Sequence, residues 1–286
     1  MSSEIVSTSA DLDDARIFYQ RVGSGPELVV LLHGWPQTSR CWRHILPHLG
    51  SQYTVVAPDL RGYGSSGLAE GGYSKRATAK DLNHLIRHVG HDSALVAGHD
   101  RGARVAHRWA LDHPADVRKL ALLDILPSRE VMTSFDRSSA TAMWHWFFHL
   151  QPELPELLLK GNVEPYLRFF FRNALDTGAI DPETFAHYVK AFSDPDHMQA
   201  SLEDYRAGFG VDLQTDEDDF EAGRILQQPV LLLWGDNGGL GSKDVLGIWQ
   251  DYAANLVGAA IQECKHYLPE EQPEQVLEQL GEFFAN

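Results

Sequence analysis

Short, largely apolar runs recur along the chain at residues 28–32, 53–57, 94–97, 118–123, 230–234 and 256–262, each followed by a glycine, a proline, a histidine or an acidic residue. Polar residues do not alternate within them, so they predict strands covered on both faces, as in a parallel sheet. Between these runs the period changes. Leu82, Leu85, Ile86 and Val89 fall on one helical face after a possible cap at Ser74, and the pattern stops at Gly90. Residues 103–110 and 275–284 have the same helical period. Ahead of the first apolar run, residues 4–8 and 15–22 predict an antiparallel pair turned at Asp11, Asp13 and Asp14. From Ser128 to about Phe220 the strands cease, and aromatic clusters at 143–148, 166–171 and 205–209 lie in consecutive helical patterns. The expected organisation is an α/β core over 1–127 and 221–286, with a helical cap inserted at 128–220. The acidic stretch 212–221 reads as the loop that leads back to the core.

Composition narrows the possible partners. A chain of 286 residues can bury one α/β domain with an insertion, and its net charge of −16 argues against nucleic acid or an anionic membrane as a partner. An acidic ligand would need a locally basic site. Cys41 and Cys264 are the two cysteines, too few and too far apart for a disulfide framework or a zinc pattern. They fit a reducing compartment, and the cytoplasm is the expected location. The first ten residues lack a basic start followed by an apolar stretch, and the apolar runs elsewhere are too short to span a bilayer. His84, His88 and His91 share part of a helix without a carboxylate or cysteine in a known ligand pattern, so no metal is assigned to them. The formal Gly-x-Gly-x-x-Gly at 62–67 continues into more loop instead of opening a helix, which removes the dinucleotide reading. No cofactor is expected.

The candidate chemistry sits at strand ends. The run at 94–97 breaks at Gly98-His99-Asp100-Arg101-Gly102, the glycine-flanked nucleophile elbow of α/β-hydrolases with aspartate in the place of serine. No Gly-x-Ser-x-Gly occurs in the chain. Asp100, at a helix N-terminus and followed by Arg101 and Arg104, should stay ionised and can attack carbon directly. After the first apolar run, His33-Gly34-Trp35-Pro36 makes a tight turn, and the backbone NH groups of Trp35 and Arg101 are assigned to an oxyanion hole. His266 follows the last strand as the base that activates water. Asp124 and Asp236 both stand at strand ends where either could orient it, and position does not choose between them. Arg101 and Arg104, three apart on one helix, could clamp a carboxylate beside the nucleophile, which points to a small anionic substrate.

These residues resemble the fluoroacetate (haloacetate) dehalogenase family over essentially the whole chain. The resemblance is carried by His33-Gly34-Trp35-Pro36-Gln37, the segment 98–104, Leu122-Leu123-Asp124-Ile125-Leu126-Pro127, His145-Trp146 and Glu203-Asp204-Tyr205-Arg206-Ala207-Gly208. It implies an α/β-hydrolase fold, a mostly parallel eight-stranded sheet with a helical cap. It implies Asp100 as nucleophile, Asp124 and not Asp236 as the acid, His266 as base, and Arg101 with Arg104 as the carboxylate clamp. His145, Trp146 and Tyr205 would bind the departing halide, each able to donate a hydrogen bond. The substrate implied is a small haloacid, and the homodimers common in the family extend to this chain as an expectation. Two positions depart from the pattern: Lys265, where the superfamily usually has glycine, and Phe171, where some relatives carry tryptophan. The rival enzyme is an epoxide hydrolase, which shares the aspartate and the cap but polarises its substrate with two cap tyrosines. A haloalkane dehalogenase would more often carry tryptophan after the nucleophile, where Arg101 stands. A non-catalytic receptor on the same fold is disfavoured by the intact Asp100, Asp124 and His266.

Overall fold

Consecutive valines, leucines and alanines leave a strand no face to give to water, and the chain answers by covering such strands on both sides. In the computed structural model, which describes residues 4–286, the strands are β1 (Val6–Asp11), β2 (Arg16–Val22), β3 (Leu28–Leu32), β4 (Thr54–Pro58), β5 (Ala94–His99), β6 (Val117–Leu123), β7 (Leu226–Gly235) and β8 (Ala253–Ile261). They form one sheet in the order β1-β2-β4-β3-β5-β6-β7-β8, antiparallel at the β1-β2-β4 end and parallel from β4 onward. Val29, Val30, Leu31 and Leu32 have no solvent exposure. Each such side chain contributes about 1.5–3 kcal/mol by burial, so the central strands hold the sheet together. The first pair lies slightly later than the hydrophobic pattern suggests. Its register, from Val6 opposite Arg21 to Asp11 opposite Arg16, is set by the turn closed between Leu12 NH and Ala15 C=O at 3.1 Å.

Parallel register also aligns the strand ends. Leu32 lies opposite Gly98, His99 opposite Leu123, Leu123 opposite Leu233 and Gly235 opposite Ile261. The segments leaving β3, β5, β6, β7 and β8 therefore emerge along one edge, where ligands gather in open α/β sheets. Helix α1 (Lys75–His88) starts at Ser74, whose side chain accepts from Ala77 NH, and α2 (Arg101–Asp112) follows β5 directly. Trp109 of α2 is fully buried against the sheet.

Between β6 and β7 the chain is helical. Its elements include α3 (Trp144–His149), α4 (Val163–Asp176), α5 (Pro182–Ser193), α6 (Pro195–Phe209) and α7 (Val211–Glu221), with further short helices at Ser128–Thr133, Arg137–Ala142 and Leu154–Leu159. The C-terminal helix α8 (Pro273–Ala285) packs Val276, Leu280 and Phe284 under the sheet. Helix α7 corrects one expectation, because residues 212–221 are not a loop. Its buried side carries carboxylates instead of hydrophobes. Asp212 and Asp219 are buried, Asp216 lies between them at helical spacing, and they face Lys75 and Arg108. Among the described residues no helix is long and apolar enough to cross a membrane.

Candidate active site

The turn from β5 into α2 requires two glycines. A Cβ on Gly98 would lie 2.6 Å from the Gly102 carbonyl oxygen, and one on Gly102 would lie 2.4 Å from that of His33. Without side chains there, α2 starts tight against the end of β3 and thrusts Asp100 out with φ 45° and ψ −116°. An L-residue in that region costs of order 1–3 kcal/mol, a strain tolerated where surrounding packing enforces it. The Asp100 amide donates to Leu123 C=O at 3.1 Å, and its Oδ2 accepts from Trp35 NH at 3.0 Å. One of the two amides expected to form the oxyanion hole is therefore directed at this carboxylate. Arg101 NH is the other, among the first-turn amides that a helix leaves without an internal acceptor. Burial pushes the Asp100 carboxyl upward, but His266, Arg101 and Arg104 pull more strongly and hold it below its ordinary value. The nucleophile candidate is anionic.

Asp124 also has positive φ, 54°. Its amide donates to Leu233 C=O at 2.8 Å, its Oδ1 accepts from Gly235 NH at 3.1 Å, and its Oδ2 lies 2.6 Å from Nδ1 of His266. Asp236 faces elsewhere and accepts from Cys264 NH at 3.1 Å, bracing the loop that carries the histidine. The choice that strand position left open thus falls on Asp124. Burial disfavours the charged imidazole, but the bond to Asp124 and the charges of Asp124 and Asp100 outweigh it and raise His266 to about 9. Lys265 fits without glycine's freedom, since positive φ in this loop falls on Glu263. Glu271 fixes the loop by accepting from Lys265 NH and Tyr267 NH, both at 2.8 Å.

The two arginines are not equivalent. Arg101 points its Nε at Asp204 Oδ2 and one terminal nitrogen at the Asp204 carbonyl, both at 2.7 Å, and its guanidinium lies 4.3 Å from the Tyr205 ring centroid. Arg104 donates from one terminal nitrogen to Leu126 C=O at 3.2 Å and to Ser128 Oγ at 2.9 Å. Its Nε is buried with no partner, and among the described residues no carboxylate forms an ion pair with it. Burial and the neighbouring Arg101 lower Arg104 to about 10, which leaves it a cation at neutral pH.

Above these groups the cap brings its aromatics together. His145 stacks on Trp35 with ring centroids 5.8 Å apart, and Tyr205 lies 6.1 Å from His145 and 6.2 Å from Trp146. Trp146 itself lies 5.1 Å from the Arg104 guanidinium. Burial lowers His145 to about 4, so the ring is neutral, and its buried Nδ1 has no partner. Phe171 is further back, stacked on Tyr188 and 4.8 Å from Tyr267.

Three residues that the sequence did not single out for a role complete the site. Asp204 pairs with Arg101, Glu271 ties down the histidine loop, and His99 sets its Nε2 2.6 Å from the His266 carbonyl oxygen. Asp204 lies inside the motif at residues 203–208 and His99 inside the elbow, but an interior acid or imidazole carries no local pattern that reveals its partner.

A nucleophile elbow after β5, an acid after β6 and a histidine after β8 define a hydrolase arrangement, and the family model for the alpha/beta hydrolase fold matches residues 27–273; the chain belongs to that family. It is 37% identical over 285 residues to a fluoroacetate dehalogenase of Burkholderia sp, covering 96% of this chain and 92% of the relative. It is also 37% identical over 291 residues to a soluble epoxide hydrolase of Corynebacterium sp. (strain C12), covering 100% and 99%. Among solved structures, a protein of Nostoc sp PCC 7120 superposes with a TM-score of 0.95 at 42% identity, covering all of both chains. The epoxide hydrolase CorEH superposes with a TM-score of 0.90 at 35% identity, covering 99% of each. The chain is thus an α/β-hydrolase, similar to the same degree to a fluoroacetate dehalogenase and to an epoxide hydrolase.

Proposed function

We propose that the chain hydrolyses small haloacids such as fluoroacetate and chloroacetate to glycolate and halide through an ester on Asp100. The observation that carries this reading is Arg104, a buried guanidinium beside the nucleophile with no carboxylate partner and an unoccupied Nε. A buried cation left unpaired costs stability unless a ligand supplies the missing charge, and a carboxylate fits a guanidinium edge with two parallel hydrogen bonds. With the acid held there, Asp100 attacks the α-carbon from the face opposite the halogen. The carbon–oxygen bond forms as the carbon–halogen bond breaks, and the halide leaves toward His145, Trp146 and Tyr205.

Attack by a carboxylate needs no base, so a protonated His266 does not hinder the first step. Once Asp100 is a neutral ester, its charge no longer helps to hold the proton on His266. The imidazole then becomes available to deprotonate water, with Asp124 stabilising the imidazolium that results. Water attacks the aspartyl carbonyl, the developing oxyanion is met by the NH groups of Trp35 and Arg101, and glycolate departs.

The epoxide reading calls for two free cap tyrosines. Tyr205 offers a hydroxyl with no hydrogen-bond partner among the described residues, but the Tyr166 hydroxyl shares a 2.6 Å hydrogen bond with Nε2 of His149. That bond favours the haloacid. The test is halide release from fluoroacetate and chloroacetate, set against chloroacetamide, a chloroalkane and diol formation from styrene oxide. Haloacids should be turned over at least about 10²-fold faster than the amide. Comparable turnover of acid and amide, or diol formation exceeding halide release, would reject the haloacid reading.

A further inference from the structure

Asp204 lies on α6 immediately before Tyr205 and is 6% exposed. Its carboxylate collects three groups from the core: Nε of Arg101 at 2.7 Å, the Tyr63 hydroxyl at 3.0 Å and the Lys75 ammonium. Its carbonyl takes a second Arg101 nitrogen at 2.7 Å. Lys75 is held in turn by Asp212, which accepts from the Lys75 amide at 2.9 Å and lies 3.9 Å from its ammonium. Arg101 therefore reaches the nucleophile with its charge already answered and two of its nitrogens engaged. Arg104 reaches it bonded only to a carbonyl and a hydroxyl, both neutral.

We propose that Asp204 is the positioning residue that sets the charge selectivity of this site: by pairing with Arg101 it leaves Arg104 as the unpaired cation, so the site takes one carboxylate and rejects a second negative charge. The inference rests on the haloacid reading and names its substrate class as monoanionic. A second anionic group on the ligand would lie near Asp100 and near an arginine already committed to Asp204, in surroundings where water cannot screen the repulsion. The same pair seats Tyr205, whose ring lies under the Arg101 guanidinium. Charge selection and the placing of a leaving-group donor are thus joined through one carboxylate.

The experiment measures competitive inhibition of chloroacetate turnover by acetate and by oxalate, which are close in size and carry one and two charges. Wild-type enzyme should bind acetate at least about ten-fold more tightly than oxalate, since like charges brought together at a binding site cost that much or more. Asp204→Asn frees the charge of Arg101 and should shift the ratio of inhibition constants toward oxalate by about ten-fold. Lys75→Met leaves Asp204 with more of its own charge and should shift the ratio the opposite way, while Asp204→Glu should keep the wild-type ratio. A merely structural role would raise both constants together and leave their ratio alone. A ratio within about two-fold of wild type in folded Asp204→Asn and Lys75→Met overturns the proposal, as does a shift of the same sign in both. If Asp204→Asn does not fold, the sign of the Lys75→Met shift decides. Haloacetate turnover with an unmoved ratio removes this inference alone. Absence of both haloacetate turnover and acetate binding removes the haloacid reading and this inference with it.

Discussion

The chemistry proposed at Asp100 divides into two half-reactions that single residues should separate. In His266→Ala, the first attack requires no proton removal, so a stoichiometric burst of halide should appear while the glycolyl ester stays on Asp100, visible by peptide mass spectrometry. Absence of both burst and ester would rule out the covalent route. The same division predicts the response to pH. Asp100 is held below the ordinary carboxylate value, so the burst rate should be flat through the neutral range. Hydrolysis of the ester needs neutral His266, whose proton is held up to about 9 in the free enzyme, so that step should accelerate as pH rises from neutrality. A burst and an ester decay with the same pH profile would contradict this assignment. Fluoride is the poorer leaving group and depends more on hydrogen-bond donation. Tyr205→Phe should therefore slow fluoroacetate turnover by about 10²-fold and chloroacetate much less. Equal losses for the two would remove the halide-specific role of the hydroxyl.

At the level of elements, legibility followed the kind of side chain each one buries. The strand at residues 28–32 was plain because five consecutive apolar residues have no polar face to offer. Helix α7 was not, because its inward side is Asp212, Asp216 and Asp219, and a scan for hydrophobic period passes over charges that are buried by pairing. Strand position leaves the choice between Asp124 and Asp236 open and only the family resemblance favours Asp124; in the structure the lean of the 264–267 loop brings His266 to it. The arginines looked alike from their spacing, and the difference between them comes from a cap residue about one hundred positions away. Helix α7 itself yields a contrast in stability. Asp219 lies 2.6 Å from the buried Arg108, so Asp219→Asn should cost about 2–3 kcal/mol in chemical denaturation at neutral pH. Asp216 is pushed by burial to about 6, above its value in an unfolded chain. Its ionised form therefore costs stability at neutral pH, and stability is recovered as pH falls through about 6. Asp216→Asn should leave Tm unchanged or higher at neutral pH and remove that part of the pH dependence. A Tm loss matching that of Asp219→Asn would refute the assignment.

Across the whole molecule, a net charge of −16 surrounds a site that we propose receives an anion. The outer field opposes the substrate's approach and is screened by salt, whereas the buried guanidinium of Arg104 is screened far less. Raising ionic strength with a bulky, non-halide salt should therefore lower KM for chloroacetate by about two-fold, with chloroacetamide as the neutral control. A KM that climbs with ionic strength would place the dominant attraction at the surface instead. The insertion between β6 and β7 has a bearing on descent and redesign. β6 and β7 are parallel neighbours, so the chain leaves β6 at the edge that carries the site and crosses the sheet to enter β7 at the opposite edge. Asp100, Asp124 and His266 all lie outside residues 128–220, while His145, Trp146, Asp204 and Tyr205 lie within them. On the proposed function, exchanging residues 128–220 as a cassette would retain the aspartate that forms the ester and replace the groups that receive the leaving atom. Such a transplant must carry an acid that reaches Arg101, or the recipient inherits a second free cation along with its new lid.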